Sequence, residues 1–286
     1  MREDRRGKLG FLLGLLSVLQ VFWGAGIAVC ADKPLWELGA GLGVLQMPDY
    51  RGSDKNRIYV LPYPYFIYRG DILQVERDRV SGRIFKTDTV LLDFSFYGQV
   101  PVKSSDNDTR SGMPDLDPTF EAGPALNITL LENRQERYKL NLSLPARAVF
   151  STDFSSLRHE GWVFSPRLSF EKGDIIAGSG WNLGLSAGPI LADRGYNSYY
   201  YSVEPRYATA TRPSYDAGAG YGGSSVMLGL NKGYKQLILN AFVSVHFLQG
   251  AVIEDSPLVK SSYAVMSGIA VSWVFLKSAK SVPAER

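Results

Sequence analysis

Cysteine and histidine are almost missing from this 286-residue chain, which has one cysteine, Cys30, and two histidines. One thiol cannot form an intrachain disulfide, and so few soft ligands disfavour a thiolate or polyhistidine metal centre. No segment after residue 31 approaches the run of about 18 apolar residues that a membrane-spanning helix needs. Much of the formal charge of +3 lies in the first eight residues, so the remainder is nearly neutral and gives no argument for nucleic-acid binding.

The first 31 residues have the composition of a secretory leader. A basic start precedes an almost uncharged stretch from Leu9 to Ala28, and residues 29–31 have the small-x-small form of a cleavage site. We therefore expect a signal peptide at residues 1–31 and a mature start near Asp32. The alternatives are a retained membrane anchor and a lipoprotein at Cys30. Charged sequence follows the leader at once, and residues 27–29 fit a lipobox poorly, so both are disfavoured.

Apolar and polar residues alternate along many segments of the chain with a period of two. From Leu91 to Val100, Leu92, Phe94 and Phe96 share one face, while Asp93 and the other polar residues share the opposite face. The chain also has 29 glycines, 16 tyrosines and 14 phenylalanines, a composition typical of turn-rich β proteins. This pattern predicts half-buried β-strands.

Twelve such segments are predicted, and their order suggests a barrel. They span residues 35–46, 57–68, 72–79, 82–85, 89–102, 120–131, 138–150, 162–171, 181–191, 215–231, 234–248 and 262–275. Prolines 62 and 64 predict a bent or irregular second strand. The long connections, 47–56, 103–118, 152–159, 192–214 and 249–261, all fall on one side. Membrane barrels have an even number of strands, short periplasmic turns and long outer loops.

We therefore predict an all-β fold, an antiparallel transmembrane β-barrel of about twelve strands over residues 32–276, with a periplasmic tail at 277–286. A soluble sandwich or lipocalin-like barrel, which would bury its apolar face inside, is the alternative, but the apolar faces here are nearly unbroken and rich in Trp and Phe at strand ends. The parity of the strands assigns eight charged or titratable residues to the lumen. They are Glu37, Asp93, Glu121, Lys139, Arg147, Arg167, Glu171 and His246.

Catalytic and metal-binding patterns are weak. His246 has lumen parity, whereas a lipase would need its serine and histidine at the lipid-facing surface, and His159 lies in a predicted outer loop. Asp106-Asn107-Asp108 and Asp115-Leu116-Asp117 offer oxygen ligands in one loop without EF-hand spacing, so solvated turn residues are the simpler interpretation. We expect no enzyme activity, no cofactor and no metal site.

Six segments together resemble the MipA/OmpV family of outer-membrane proteins. They read PDYRGS at 48–53, LPYPYFIYRGD at 61–71, GMPDLDPT at 112–119, YYYSV at 199–203, YDAGAG at 215–220 and DSPLV at 255–259. The resemblance implies a barrel in the outer membrane of a Gram-negative bacterium. The family's namesake is described as a scaffold that links a lytic transglycosylase to a peptidoglycan synthase, and other members are discussed as porin-like. The family has no assigned catalytic residues.

Two functions are therefore expected. The first is a non-enzymatic scaffold for peptidoglycan-remodelling enzymes, in contact with outer-membrane lipid, and it rests on the resemblance alone. The second is a narrow porin-like channel for small solutes, because charges of both signs in the lumen are compatible with weak ion selectivity. The same charges could equally form a salt-bridge network that closes a narrow barrel, and the sequence leaves this choice open.

Overall fold

The computed structural model describes residues 33–70, 73–75, 80–82 and 85–282. The predicted signal peptide lies outside these residues. In chain order the strands are β1 (Lys33–Pro34), β2 (Trp36–Pro48), β3 (Asn56–Arg69), β4 (Leu73–Val75), β5 (Val80–Gly82), β6 (Phe85–Lys86), β7 (Val90–Gln99), β8 (Thr119–Asn133), β9 (Tyr138–Thr152), β10 (Leu157–Phe164), β11 (Arg167–Lys172), β12 (Trp181–Ala192), β13 (Gly220–Tyr234), β14 (Leu237–Phe247), β15 (Tyr263–Lys277) and β16 (Ser281–Val282). One α-helix, α1 (Arg194–Tyr201), lies between β12 and β13. Within the described residues, no helix has both the length and the apolar character to span a membrane.

The strands form one large antiparallel sheet whose two ends meet. Its order is β5-β4-β3-β2-β15-β14-β13-β12, then β10 and β11, then β9-β8-β7-β6. The strands β10 and β11 follow one another along the same place in the sheet, between β12 and β9. The end strands β5 and β6 are separated by only two residues, and β5 also approaches β7. If β5 with β6 and β10 with β11 are each counted as one interrupted strand, the barrel has twelve strands. The predicted barrel is confirmed.

The wall of the barrel follows the alternation of the sequence. On β7, Phe94 and Phe96 are exposed, whereas Asp93 between them is fully buried. The exposed set continues around the barrel with Leu42, Trp162, Leu185, Leu228, Ile269 and Trp273. A soluble protein rarely exposes so many large apolar side chains in a continuous belt, and a lipid-facing barrel requires it.

Three strand predictions need correction. The segment 162–171 is interrupted at Ser165 and Pro166, and both halves pair with β9 and β12. The strand predicted at 215–231 begins only at Gly220. The strand with Pro62 and Pro64 is not irregular, because β3 pairs with β2 through thirteen consecutive residues. Proline lacks only its own N–H, and within the described residues the ladder between β3 and β4 covers Tyr68 and Arg69, so neither proline donates into that part of it.

The connections have the predicted asymmetry in length, with one change. The hairpin between β9 and β10 is shorter than predicted, and its turn covers only residues 153–156. His159 therefore lies in β10 opposite Phe150, and not in a loop. Its imidazole packs between Phe150 and Trp162, with centroid distances of 5.4 and 5.8 Å. The histidine belongs to a row of exposed aromatic side chains near the long-loop end.

The two ends of the described chain meet at the short-turn end of the barrel. Lys33 and Pro34 of β1 pair with Val282 and Ser281 of β16. The backbone N–H of Leu35 donates to the carbonyl of Lys280 at 2.8 Å. The residues after Phe275, predicted as a tail, thus include a short strand that the sequence pattern did not indicate.

Candidate functional site: the barrel interior and its outer cap

A buried ion pair joins the inner faces of the adjacent strands β8 and β9. The Arg147 Nε donates to Glu121 Oε2 at 2.7 Å, and the two side chains are only 9% and 5% exposed. The other guanidinium nitrogens reach Ser95 Oγ at 3.4 Å and Ser165 Oγ at 3.0 Å. The guanidinium also lies 5.8 Å from the ring centroid of Tyr97. These partners come from β7, β8 and the break between β10 and β11, so Arg147, itself on β9, connects four parts of the wall.

A second group of hydrogen-bonded polar side chains lies closer to the short-turn end than this pair. Asn127 Nδ2 donates to Asp93 Oδ1 at 3.1 Å, and Ser143 Oγ donates to Asn127 Oδ1 at 2.7 Å. Asp93, Asn127 and Ser143 lie on the adjacent strands β7, β8 and β9. Hydrogen bonds of this kind compensate the cost of burying a carboxylate.

The short-turn end is braced by its own contacts. Arg69 donates to Glu37 Oε1 at 2.7 Å and to the carbonyl of Pro34 at 2.6 Å. The Tyr63 hydroxyl and Ser272 Oγ are 2.7 Å apart. The Tyr63 ring occupies the space where a side chain at position 41 would begin, which explains glycine there. Lys139 and Glu171 lie opposite each other on β9 and β11 and are half-buried.

Arg167, on the same β11 row as Glu171, is the most solvent-exposed of the predicted lumen residues. The structure therefore brings Glu121 and Arg147 into direct contact. It pairs Asp93 and Glu37 with partners outside the predicted set, Asn127 and Arg69. Which inward charges meet is decided by the strand register and not by the parity of the sequence.

The loops at the long-loop end pack together into a folded cap, which the sequence interpretation missed. It consists of the loops 49–55, 100–118, 193–219 and 248–262, and we call it the outer cap. Its buried core contains Tyr50, Val102, Leu116, Tyr196, Tyr200, Tyr201, Val203, Ala217, Leu248, Ile253 and Leu258. The signal was available in the run Tyr199-Tyr200-Tyr201 with Tyr196, because residues 196 and 200 share one face of a helix.

The helix α1 has a defined start at the cap. Asp193 accepts the backbone N–H of Tyr196 at 2.9 Å, which is a standard N-cap. Asn197 is fully buried, and its Nδ2 donates to the carbonyl of Gly218 at 2.7 Å. The Tyr201 hydroxyl donates to the carbonyl of Arg51 at 3.1 Å. The helix is therefore fixed to the loops 49–55 and 193–219.

Two buried arginines connect segments of the cap by hydrogen bonds to backbone carbonyls. Arg110 donates to the carbonyls of Tyr200 at 3.1 Å and Pro114 at 3.3 Å. Arg212 donates to the carbonyls of Thr109 and Ser111, each at 2.9 Å. A third arginine, Arg51, donates to the carbonyl of Gly222 on β13 at 3.0 Å and so ties the cap to the wall. Because each tie joins a loop to a carbonyl elsewhere in the fold, the loops are held as one body.

Burial also shifts the pKa of titratable side chains in the outer cap. It raises the pKa of the Tyr50 and Tyr196 hydroxyls above the ordinary tyrosine value. Burial likewise raises the pKa of Tyr201. These hydroxyls therefore stay neutral at physiological pH and remain hydrogen-bond donors. The pKa of Arg110 is lowered by burial, but a guanidinium stays charged in proteins.

The aspartates of loop 100–118 are used within the protein. Asp108 contacts Lys55 at 2.7 Å, and Asp106 lies 3.8 Å from Arg57. Asp115 accepts the backbone N–H of Ser104 at 2.7 Å. Within the described part of the chain, no group of three or more acidic, histidine or cysteine residues could hold a metal ion.

Gly161 is where the cap meets the wall, and replacing it tests this junction. It has φ +134°, and a Cβ there would collide with Asp193 Oδ1 and the backbone nitrogen of Tyr196. We expect Gly161→Ala to lower the free energy of unfolding by about 2–3 kcal/mol, measured by denaturant unfolding in detergent.

Gly112→Ala is the matched control for this substitution. Gly112 also has positive φ, at +80°, but a Cβ there meets nothing within 4 Å. Gly112→Ala should lower the free energy of unfolding by only about 1 kcal/mol, the cost of placing a side chain at positive φ. Equal losses in the two variants would mean that the collision with α1 contributes nothing.

The family comparison decides what this barrel is. The sequence profile described as "MltA-interacting protein MipA" matches residues 40–275, which is most of the chain. This chain belongs to the MipA family. No curated protein matches it. Membership, together with the exposed apolar belt of the wall, identifies a MipA-family β-barrel of the Gram-negative outer membrane. The short turns therefore face the periplasm and the outer cap faces the exterior.

Solved structures similar to this MipA-family chain are outer-membrane proteins. An outer membrane channel from Pseudomonas putida F1 has 9% identity and a TM-score of 0.47, with 87% of this chain and 97% of that chain covered. Outer membrane phospholipase A from Escherichia coli has 11% identity and a TM-score of 0.33, with 90% and 97% covered.

The one Ser–His pair on β14 of this MipA-family barrel does not form a catalytic triad. Ser244 Oγ and His246 Nε2 are 3.5 Å apart, which is too long for a strong hydrogen bond. Among the described residues, the buried His246 Nδ1 has no hydrogen-bond partner, so no acid orients the imidazole. A nucleophile needs both contacts.

Proposed function

We propose that this protein is a non-conducting outer-membrane scaffold that presents its periplasmic end to peptidoglycan-remodelling enzymes. The observation that carries the proposal is the outer cap, whose tyrosine-rich core packs against buried residues of the wall such as Val149 and Val163. A pore would need an open path there, and the paired charges of the interior narrow the lumen further. The eight inward residues predicted from sequence then serve mainly to join strands and not to select ions.

The partner class follows from the family. The family description names an interaction with MltA, and a lytic transglycosylase is therefore the first candidate partner. A peptidoglycan synthase is proposed as the second. The same proposal includes a cleaved leader at 1–31, a barrel at 32–276 and a periplasmic end completed by residues 277–286.

One periplasmic turn offers a defined contact surface for such a partner. In the connection 173–180, Asp174 accepts the backbone N–H groups of Gly178 at 2.8 Å and Gly180 at 2.7 Å. These hydrogen bonds lower the pKa of the Asp174 carboxyl, so it stays ionised and holds the turn. Ile176 in the turn is 65% exposed, next to Ile175 at 39%. Exposed adjacent apolar residues on an ordered turn suit a protein contact.

Retention of a lytic transglycosylase by the detergent-solubilised barrel tests the scaffold. We expect binding to the immobilised protein, and we expect Ile176→Asp to reduce the retained enzyme about tenfold, because a buried charge in an interface is costly. Leu157→Asp, at an equally exposed position of the outer hairpin, is the matched control and should bind as the unchanged protein does. The scaffold proposal fails if the barrel retains no murein enzyme.

The alternative is a narrow porin-like channel for small solutes. The mixed charges of the interior support it, including the exposed Arg167. The outer cap weighs against it.

A further inference from the structure

Two outward rows of apolar residues end in lysine at the periplasmic rim. On β11, Lys172 follows Leu168 and Phe170 on the lipid-facing side, and on β13, Lys232 follows Leu228 and Leu230. A third lysine, Lys235, occupies the turn between β13 and β14. Their position at the ends of lipid-facing rows is that of side chains that extend toward the headgroup region.

Each of these lysines lies over an aromatic ring. Lys172 Nζ is 5.9 Å from the ring centroid of Tyr138, Lys232 Nζ is 5.5 Å from that of Trp181, and Lys235 Nζ is 5.3 Å from that of Tyr234. The strands involved, β9, β11, β12, β13 and β14, are consecutive in the barrel. The six side chains therefore form one continuous arc, which we call the lysine–aromatic arc.

Two of the three charges of the arc are unmatched. Among the described residues, neither Lys232 nor Lys235 has an acidic partner within ion-pair distance, whereas Lys172 lies 3.7 Å from Glu136 Oε2 and also donates to the Glu136 carbonyl. On the outer side, Arg57 is paired with Asp49, Arg158 with Asp117 and Arg194 with Asp216. Lys232 and Lys235 thus place two cations that have no acidic partner among the described residues at one side of the periplasmic rim.

We propose that the lysine–aromatic arc binds the phosphate of an anionic phospholipid in the inner leaflet of the outer membrane. Aromatic side chains settle at the membrane interface, where the phosphates lie, and the lysines beside them supply the charge. Lys172 and Lys232 flank β12, opposite Leu183 and Trp181, so two strand spacings and a two-residue offset put them about 12 Å apart, close enough to contact one lipid headgroup. Their outward parity, shared with the lipid-facing leucines, favours a lipid over a soluble acidic protein.

Quenching by brominated lipids tests this arc in a background that carries Trp36→Phe, Trp162→Phe and Trp273→Phe, so that the fluorescence of the barrel comes from Trp181 of the arc. The protein is reconstituted into mixed vesicles that contain either brominated phosphatidylglycerol or brominated phosphatidylcholine, and the relative association constant is read from tryptophan quenching. We expect phosphatidylglycerol to be preferred about fivefold or more at low salt, since one basic residue at an anionic surface contributes that factor. The triple variant Lys172→Gln, Lys232→Gln, Lys235→Gln should reduce the preference to about one.

The control variant Lys103→Gln, Lys260→Gln removes exposed lysines from the outer loops and should keep the preference. Lipid that co-purifies with each variant, identified by mass spectrometry, gives a second readout, and a shift in gel mobility on heating checks that each barrel has folded. An unchanged preference in the triple variant overturns the proposal. So does an equal loss in the control, which would indicate net charge alone, or abolition by inorganic phosphate at constant ionic strength, which would indicate a free-phosphate site.

Discussion

Replacing Arg147 by methionine is expected to lower the free energy of unfolding by about 3–5 kcal/mol. The substitution leaves the Glu121 carboxylate buried without its 2.7 Å partner, and it removes the hydrogen bond to Ser165. An uncompensated buried charge costs more than the ion pair itself contributes, because its desolvation is no longer offset. The measurement is urea-induced unfolding of the barrel in vesicles, followed by tryptophan fluorescence.

Two further variants separate charge from packing. The double variant Glu121→Gln, Arg147→Met should recover most of the lost stability, since no charge remains buried. Arg134→Ala removes an exposed ion pair with Glu132 and should change stability by less than about 0.5 kcal/mol. If Arg147→Met behaves like Arg134→Ala, the ion pair does not hold the interior together.

Removal of the outer cap is expected to convert a silent barrel into a conducting one. Replacing residues 194–217 by a short Gly-Ser linker deletes α1 with Tyr196, Tyr200 and Tyr201, which belong to the core of the cap. In planar bilayers the unchanged protein should give no steady current, whereas the shortened variant should give stable conductance steps. The milder variant Tyr200→Ala, Tyr201→Ala should give brief openings, because it loosens the core and leaves the loops in place.

A shortened outer hairpin at residues 153–156 is the control, because this turn is not part of the outer cap. It should remain silent like the unchanged protein. Steady conductance of the unchanged protein would support the porin-like channel and contradict the scaffold. A silent variant without the cap would mean that the interior network closes the lumen by itself.

Much of the barrel follows directly from local pattern. A strand turns successive side chains to opposite faces, so Asp93 and Phe94 are assigned to different sides without any knowledge of their neighbours. The same rule placed Glu121 and Arg147 on one face. Proline was a poorer guide, because the effect of Pro62 and Pro64 depends on whether the neighbouring strand needs their missing N–H.

The cap and the position of His159 were not predictable in this way. The cap core joins Tyr50, Leu116, Tyr201 and Leu258, which come from four different loops, and no period in the sequence relates them. The sequence predicts a loop at His159 because the alternation weakens there. In the structure, the register of the ladder between β9 and β10 shifts between His159 and Gly161. Loop packing depends on contacts between distant segments, and a local pattern contains no information on them.

The sequence by itself therefore determined the barrel, its strand number, the side of the long loops and the inward or outward direction of residues in the clearly alternating strands. These properties depend on the two-residue period and on segment length. Only the tertiary structure decided that Glu121 meets Arg147, that the outer loops pack into a tyrosine-rich cap and that three lysines lie over aromatic rings at the periplasmic rim. Such contacts are set by strand register and loop packing, which bring together residues far apart in the chain.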